Sequence, residues 1–238
     1  MPKQPQAALE SVFAFSPNRA TLGGTSYLIL GNHAVDAAPP RESLQAPLGT
    51  GNALPSNGNC LVDCPPWDEN TRAFLHQQGG VRWFVITNRD AIAGLKIVRE
   101  VQTEFQCQIV IHEQEAYLLP GLDLTPFRRE KAIADDLQVI WTPGYSPGSS
   151  CVYLNRHGGV LFSGRHLLPT PTGQLHPQRH SKTFHWPRQL KSLEALRSRF
   201  TTETLRYCCP GANVGFLRGK KVVIAPYEHL KDTPVAVL

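Results

Sequence analysis

The sequence predicts an α/β fold, a sheet covered by helices, on three observations. Residues 81–87 (VRWFVIT) and 107–113 (CQIVIHE) are near-continuous apolar runs, the pattern of strands buried on both faces. Between them Ile92, Leu95, Val98, Val101 and Phe105 recur at helical spacing, so residues 90–105 read as one amphipathic helix. Ahead of them CLVDC (60–64) and DENTRAFLHQQGG (68–80) make the same alternation. The result is a strand–helix–strand–helix–strand series, which buries its apolar faces by stacking helices on a sheet.

The elements follow in order. SVFAF (11–15) and TSYLIL (25–30) combine aromatic and β-branched residues and read as strands. Residues 36–59, rich in Pro, Gly, Ser and Asn and without periodicity, read as a long loop or insertion. The strand at 60–64 ends at Pro65-Pro66, which cannot continue a ladder. Asp68 is placed to cap the next helix and Gly79-Gly80 to stop it. In the second half LQVIWT (137–142), SCVYL (150–154) and GVLFSG (159–164) read as strands. A Pro/His-rich loop (169–187) leads to a helix at 187–200 with Pro187 in its first turn. TLRYCC (204–209) reads as a strand, and KKVVIAPYEHL (220–230) as a final helix or strand.

At 238 residues and 41% hydrophobic content the chain can bury a substantial core. No apolar run approaches the ~18 residues that span a bilayer. The segment MPKQPQAALE has no apolar signal-peptide core, so a cytoplasmic protein is expected. Cys60, Cys64, Cys107, Cys151, Cys208 and Cys209 include no CxxC pair and are expected as free thiols. The net charge of +5 permits an anionic partner without requiring one.

Five blocks carry the chemistry: LVDCP (61–65), VITNRDAIAGL (85–95), WTPGYSPGSS (141–150), GVLFSGRHLL (159–168) and YCCPGANVGF (207–216). In order and spacing they resemble the metallo-β-lactamase fold superfamily, from about residue 11 to residue 220. The resemblance implies one domain with a four-layer αβ/βα sandwich, in which loops at one edge hold one or two metal ions. It also implies a T-H-x-H-x-D-H-x-G-G turn, then T-P-G-H, S-G-D and P-G-H turns.

Set against that pattern, Thr87 is kept, but Asn88 stands at the first histidine. Without gaps, Asp90 falls on the second histidine, Ile92 on the aspartate and Ala93 on the third histidine; with a two-residue deletion, Asp90 matches the aspartate and Gly94 a terminal glycine. Tyr145, Arg165 and Ala212 replace the remaining histidine, bridging aspartate and final histidine. The frame persists in Asp63, Gly144, Gly164 and Gly211, with Pro143, Pro147, Gly148, Ser163 and Pro210. Turns need their backbone angles whether or not a metal binds.

A catalytic zinc needs about three nitrogen, sulfur or carboxylate ligands. At Arg165 a permanent cation stands where a bridging anion would lie. At ~4 Å and an effective dielectric of ~20, two like unit charges repel by ~4 kcal/mol. The expectation is a protein without the zinc-dependent hydrolysis of the fold and with no cofactor. Arg165 would close the old site as a bidentate partner of Asp63 or Asp90. Alternatively, Asn88, Arg89, Tyr145, Arg165, His166 and Asn213 would bind a small anion, or a protein partner, helped by a helix N-terminus near Asn88.

Two rivals remain. In a rebuilt hydrolase of esters, thioesters or phosphoesters, zinc, iron or manganese would return and His166 or Asp90 would be the catalytic candidates. No GxSxG elbow supports this. In a nucleic-acid-associated factor, Arg188, Lys191, Arg197 and Arg199 on the helix after residue 187 would meet the ligand. His112 reads as a strand-end residue. The loop histidines His176, His180 and His185, near Arg179 and Lys182, have no metal-site spacing.

Overall fold

The computed structural model describes residues 4–31 and 58–233. Seven strands form the first sheet, paired in chain order: β1 (Gln6–Leu9), β2 (Val12–Ala14), β3 (Tyr27–Ile29), β4 (Cys60–Val62), β5 (Trp83–Ile86), β6 (Gln108–His112) and β7 (Leu124–Phe127). The first four pair antiparallel; β4 to β7 run parallel. Helix α1 (Glu69–Gln77) and helix α2 (Leu95–Phe105) are the crossovers of the parallel part.

The second sheet contains β8 (Glu130–Ala134), β9 (Leu137–Trp141), β10 (Ser150–Leu154), β11 (Val160–Gly164), β14 (Tyr207–Pro210) and β15 (Val223–Ile224), in the order β15-β14-β11-β10-β9-β8. Between β11 and β14 lie a small hairpin of β12 (Leu168–Pro169) and β13 (Leu175–His176), then α3 (Trp186–Arg199). Helix α4 (Pro226–Asp232) follows β15.

Three buried clusters define four layers. Val12, Tyr27, Val62, Val85 and Val110 of the first sheet meet Val139, Val152, Val160 and Phe162 of the second. The other face of the first sheet (Leu28, Leu61, Phe84, Ile109) packs on Leu75, Val98 and Val101 of α1 and α2. The other face of the second (Cys151, Leu161, Cys208) packs on Leu193 and Leu196 of α3 and Leu230 of α4. This is the αβ/βα sandwich. It buries both faces of β4 to β6, which is why those strands are apolar throughout.

The local signals act as expected at several ends. Asp68 accepts a hydrogen bond from the Thr71 amide at 2.9 Å and starts α1, and Pro187 sits in the first turn of α3. All six cysteines are free and buried. Residues 220–230 contain both a strand and a helix, β15 and most of α4. The 36–59 segment lies outside the described residues except for Gly58 and Asn59.

One helix differs from its expectation. Residues 90–105 are not continuous: a single 3-10 turn covers Arg89–Ala91, and α2 begins only at Leu95. Gly94 has φ +115, a conformation that interrupts a helix and that only glycine adopts freely. Among the described residues Asn88 caps only that 3-10 turn and not an α-helix, so the expected support for an anion site is absent. No helix among the described residues is long and apolar enough to cross a membrane.

Candidate functional site

The loops after β4, β5, β9, β11 and β14 converge at one edge of the sandwich and are stitched by short polar contacts. Asp63, after β4, has φ +63 and accepts from the Thr87 amide and the Thr87 hydroxyl, both at 2.8 Å. Thr87 O accepts from the Ser150 amide, and Gly164 O from the Gly211 amide, each at 2.8 Å. The glycines are needed sterically. A Cβ on Gly164 would stand 2.6 Å from Thr87 Oγ1, and one on Gly144 2.3 Å from Gln189 Cα. Asp63 is thus a strut between two strands.

The side chains at the presumptive ligand positions are turned on each other. Asn88 donates to Thr87 Oγ1 at 2.9 Å and accepts from the Asp90 amide at 3.1 Å. Buried Tyr145 donates its hydroxyl to Asp90 Oδ2 at 2.5 Å, and Lys182 Nζ stands 3.8 Å from Asp90 Oδ1. Ala212 is buried and carries no donor atom. Asn213, exposed in a left-handed conformation, makes no capping contact.

Arg165 departs from its expectation. It pairs with neither Asp63 nor Asp90. Its Nη2 donates to the backbone oxygens of Thr21 (2.9 Å) and Leu22 (3.0 Å), and its guanidinium lies 5.7 Å from the Tyr145 ring centre. The loop between β2 and β3 offers two neighbouring carbonyls to a single guanidinium nitrogen. Arg89 likewise donates to a backbone oxygen, that of Lys182, at 3.1 Å.

Burial sets the electrostatics. It raises the Asp63 carboxyl to about 6, against the pull of the Thr87 hydrogen bonds and of Arg165. Burial and the Asp90 contact push the Tyr145 phenol well up. The His166 ring is 1% exposed, neither ring nitrogen has a hydrogen-bond partner, and burial lowers its pKa to about 3. A general base must reach a proton on substrate; this imidazole is shut away from solvent. Burial also pushes the thiols of Cys64, Cys151 and Cys208 up to about 12.

These donors do not fit a catalytic metal. The amide and carboxylate are already engaged, and a guanidinium lies over the ring of Tyr145. Metal ligands must be deprotonated and free to turn toward the ion. Among the described residues no three of His, Cys, Asp and Glu converge on one point.

Two residues of this edge carried no readable signal. Glu115, 1% exposed, accepts from the Gly148 amide at 3.1 Å and holds the 143–149 turn. Gln189 of α3 donates to His166 O at 3.0 Å. Both act through tertiary contacts, and neither lies in a motif. The rest of the α3 set is split. Arg197 donates to the oxygens of Leu230 and Thr233, and Arg199 to Glu130 and to Gln138 at 2.7 Å, so both serve to tie α4 and β8 to the body. His112 donates from Nε2 to Arg128 O (2.7 Å) and stacks on Trp141.

This loop edge on this sandwich is that of the metallo-β-lactamase fold, and solved structures bear out the fold. A metallo-β-lactamase from Staphylococcus aureus subsp. aureus COL superposes with a TM-score of 0.61 and 14% identity; the match covers 97% of this chain but 65% of that protein. A protein solved in a di-iron-bound form gives 0.61 at 17% identity, covering 91% of this chain and 96% of that one. DIM-1 metallo-β-lactamase exposed to ceftazidime gives 0.61 at 15%, covering 97% and 95%. Such identities speak for the fold alone. No protein-family model and no curated protein sequence matches the chain.

Proposed function

We propose that this protein is a non-hydrolytic member of the metallo-β-lactamase fold, a pseudoenzyme with a degenerate metal site, which binds an anionic group at the former metal edge. The group would be carried by a small anion or by a protein partner. The observation that supports this best is the 2.5 Å bond from Tyr145 to Asp90. It consumes the one carboxylate at the presumptive ligand positions. Arg89 and Arg165, meanwhile, donate to neutral backbone carbonyls and form no direct ion pair among the described residues. Lys182 is paired with Asp90 at 3.8 Å, and Phe184, 53% exposed, lies in the same loop. Two guanidiniums without a direct carboxylate partner can turn toward an anion.

The test has two arms. Zinc, iron and manganese are measured on protein purified without chelator; far less than one equivalent is expected. A near-stoichiometric ion lost in Asp90→Ala would overturn the proposal in favour of the hydrolase. Inorganic phosphate is then titrated against thermal unfolding. A stabilisation that disappears in the Arg89→Gln, Arg165→Gln double variant is expected, and an identical shift in that variant would dismiss the anion site.

A further inference from the structure

The FLRGKK stretch (216–221) takes no part in the edge just described. It borders a cleft of about 450 Å³ lined by β15, by the 171–173 turn of the β12–β13 hairpin and by His229 of α4, with no β14 residue in its lining. Phe216 (44% exposed) and Ile224 (60% exposed) supply apolar surface, with Val222 between them. Arg218 and Lys220 supply charge, and no Asp or Glu is among the lining residues. Among the described residues neither cation forms an ion pair.

The backbone at this cleft has a free side. β15 is the terminal strand of its sheet and pairs antiparallel with β14, Tyr207 opposite Ile224 and Cys208 opposite Val223. The Ala225 amide donates to Arg206 O at 2.9 Å, toward β14. In an antiparallel ladder neighbouring residues send their amide and carbonyl to opposite sides. Ile224 therefore turns both groups away from β14. An apolar residue offering an unpaired edge is a template for another strand, which proteins ordinarily blunt with charge, proline or a cover.

We propose that this cleft docks an extended, acidic segment of a partner protein, added to β15 as a further strand. Main-chain bonds at Ile224 would set the register, as in other strand additions. The strand is two residues long, so it offers one such pair; apolar side chains on Phe216 and Ile224 and carboxylates facing Arg218 and Lys220 supply the rest. A nucleic acid would need stacking platforms for successive bases, and the cleft has one exposed aromatic.

The experiment uses the full chain and a labelled, end-blocked heptapeptide that alternates Glu and Val, read by fluorescence polarisation. Saturable binding that weakens with salt is expected. The same peptide with alternate N-methylated amides should bind about tenfold more weakly, because it cannot complete the ladder. So should Ile224→Pro, which deletes an outward-facing amide together with the apolar side chain, and the Arg218→Gln, Lys220→Gln pair. Arg89→Gln with Arg165→Gln should leave the affinity unchanged, which separates this site from the loop edge. No saturable binding, equal affinity for the N-methylated peptide, or tighter binding to phosphatidylserine vesicles or single-stranded RNA would each overturn the proposal.

Discussion

The loop edge and the β15 cleft handle polar groups in opposite ways. At the loop edge side chains and turns satisfy each other: Thr87 with Asp63, Tyr145 with Asp90, Arg165 with two carbonyls. At β15 a backbone pair, two cations and two large apolar side chains face solvent. The difference teaches that the part of a fold most marked by motifs need not be the part most available for binding. Turn motifs specify backbone geometry and leave open which side chains occupy it.

Perturbing each region measures how far the contrast holds. The largest effect is expected at Gly144→Ala: the new Cβ would meet Gln189 at 2.3 Å and the φ of +149 disfavours any side chain, so a loss of about 3 kcal/mol or more in denaturant unfolding is expected. A loss below about 1 kcal/mol would mean that the edge is looser than its packing suggests. Asp63→Ala leaves the Thr87 amide unpaired and the Thr87 hydroxyl without its acceptor in a buried place, for about 2 kcal/mol by the same measurement.

Acid provides the next probe. The folded pKa of His166, about 3, lies below its ordinary value of 6.5, so the fold favours the neutral ring. Its contribution is complete above about 6.5 and fades as pH falls toward 3, by at most about 1.4 kcal/mol per pH unit. Asp63 acts in the opposite sense: with its carboxyl raised to about 6, its contribution is complete below about 4 and is lost as pH rises through 6. His166→Leu should flatten the acid limb of a stability–pH curve, whereas an unchanged limb would place the sensitivity elsewhere.

Smaller effects follow. Tyr145→Phe removes one hydrogen bond to Asp90 and should cost about 1 kcal/mol in thermal unfolding. Lys220→Gln, on the open cleft, should change stability by less than about 0.5 kcal/mol. A larger loss at Lys220 than at Tyr145 would reverse the comparison.

The interior of the fold was legible in the residues themselves. β4, β5 and β6 are buried on both faces, so composition alone marks them, and Asp68 and Pro187 declare the helix starts at α1 and α3. Strands β1, β7 and β8 gave no such mark. All three are edge strands, where alternation is weak and even Pro126 is tolerated, and the neighbouring strand decides the pairing.

The turn blocks likewise announced the loop edge. Their side-chain partners had to come from elsewhere in the chain: the carbonyls of Thr21 and Leu22 for Arg165, and Glu115 and Gln189 as supports. Local sequence carries turn geometry and burial because backbone angles and water act on neighbouring residues. Which guanidinium meets which oxygen depends on distances set only when 144 residues of separation collapse into one contact, and that the folded sandwich alone decides.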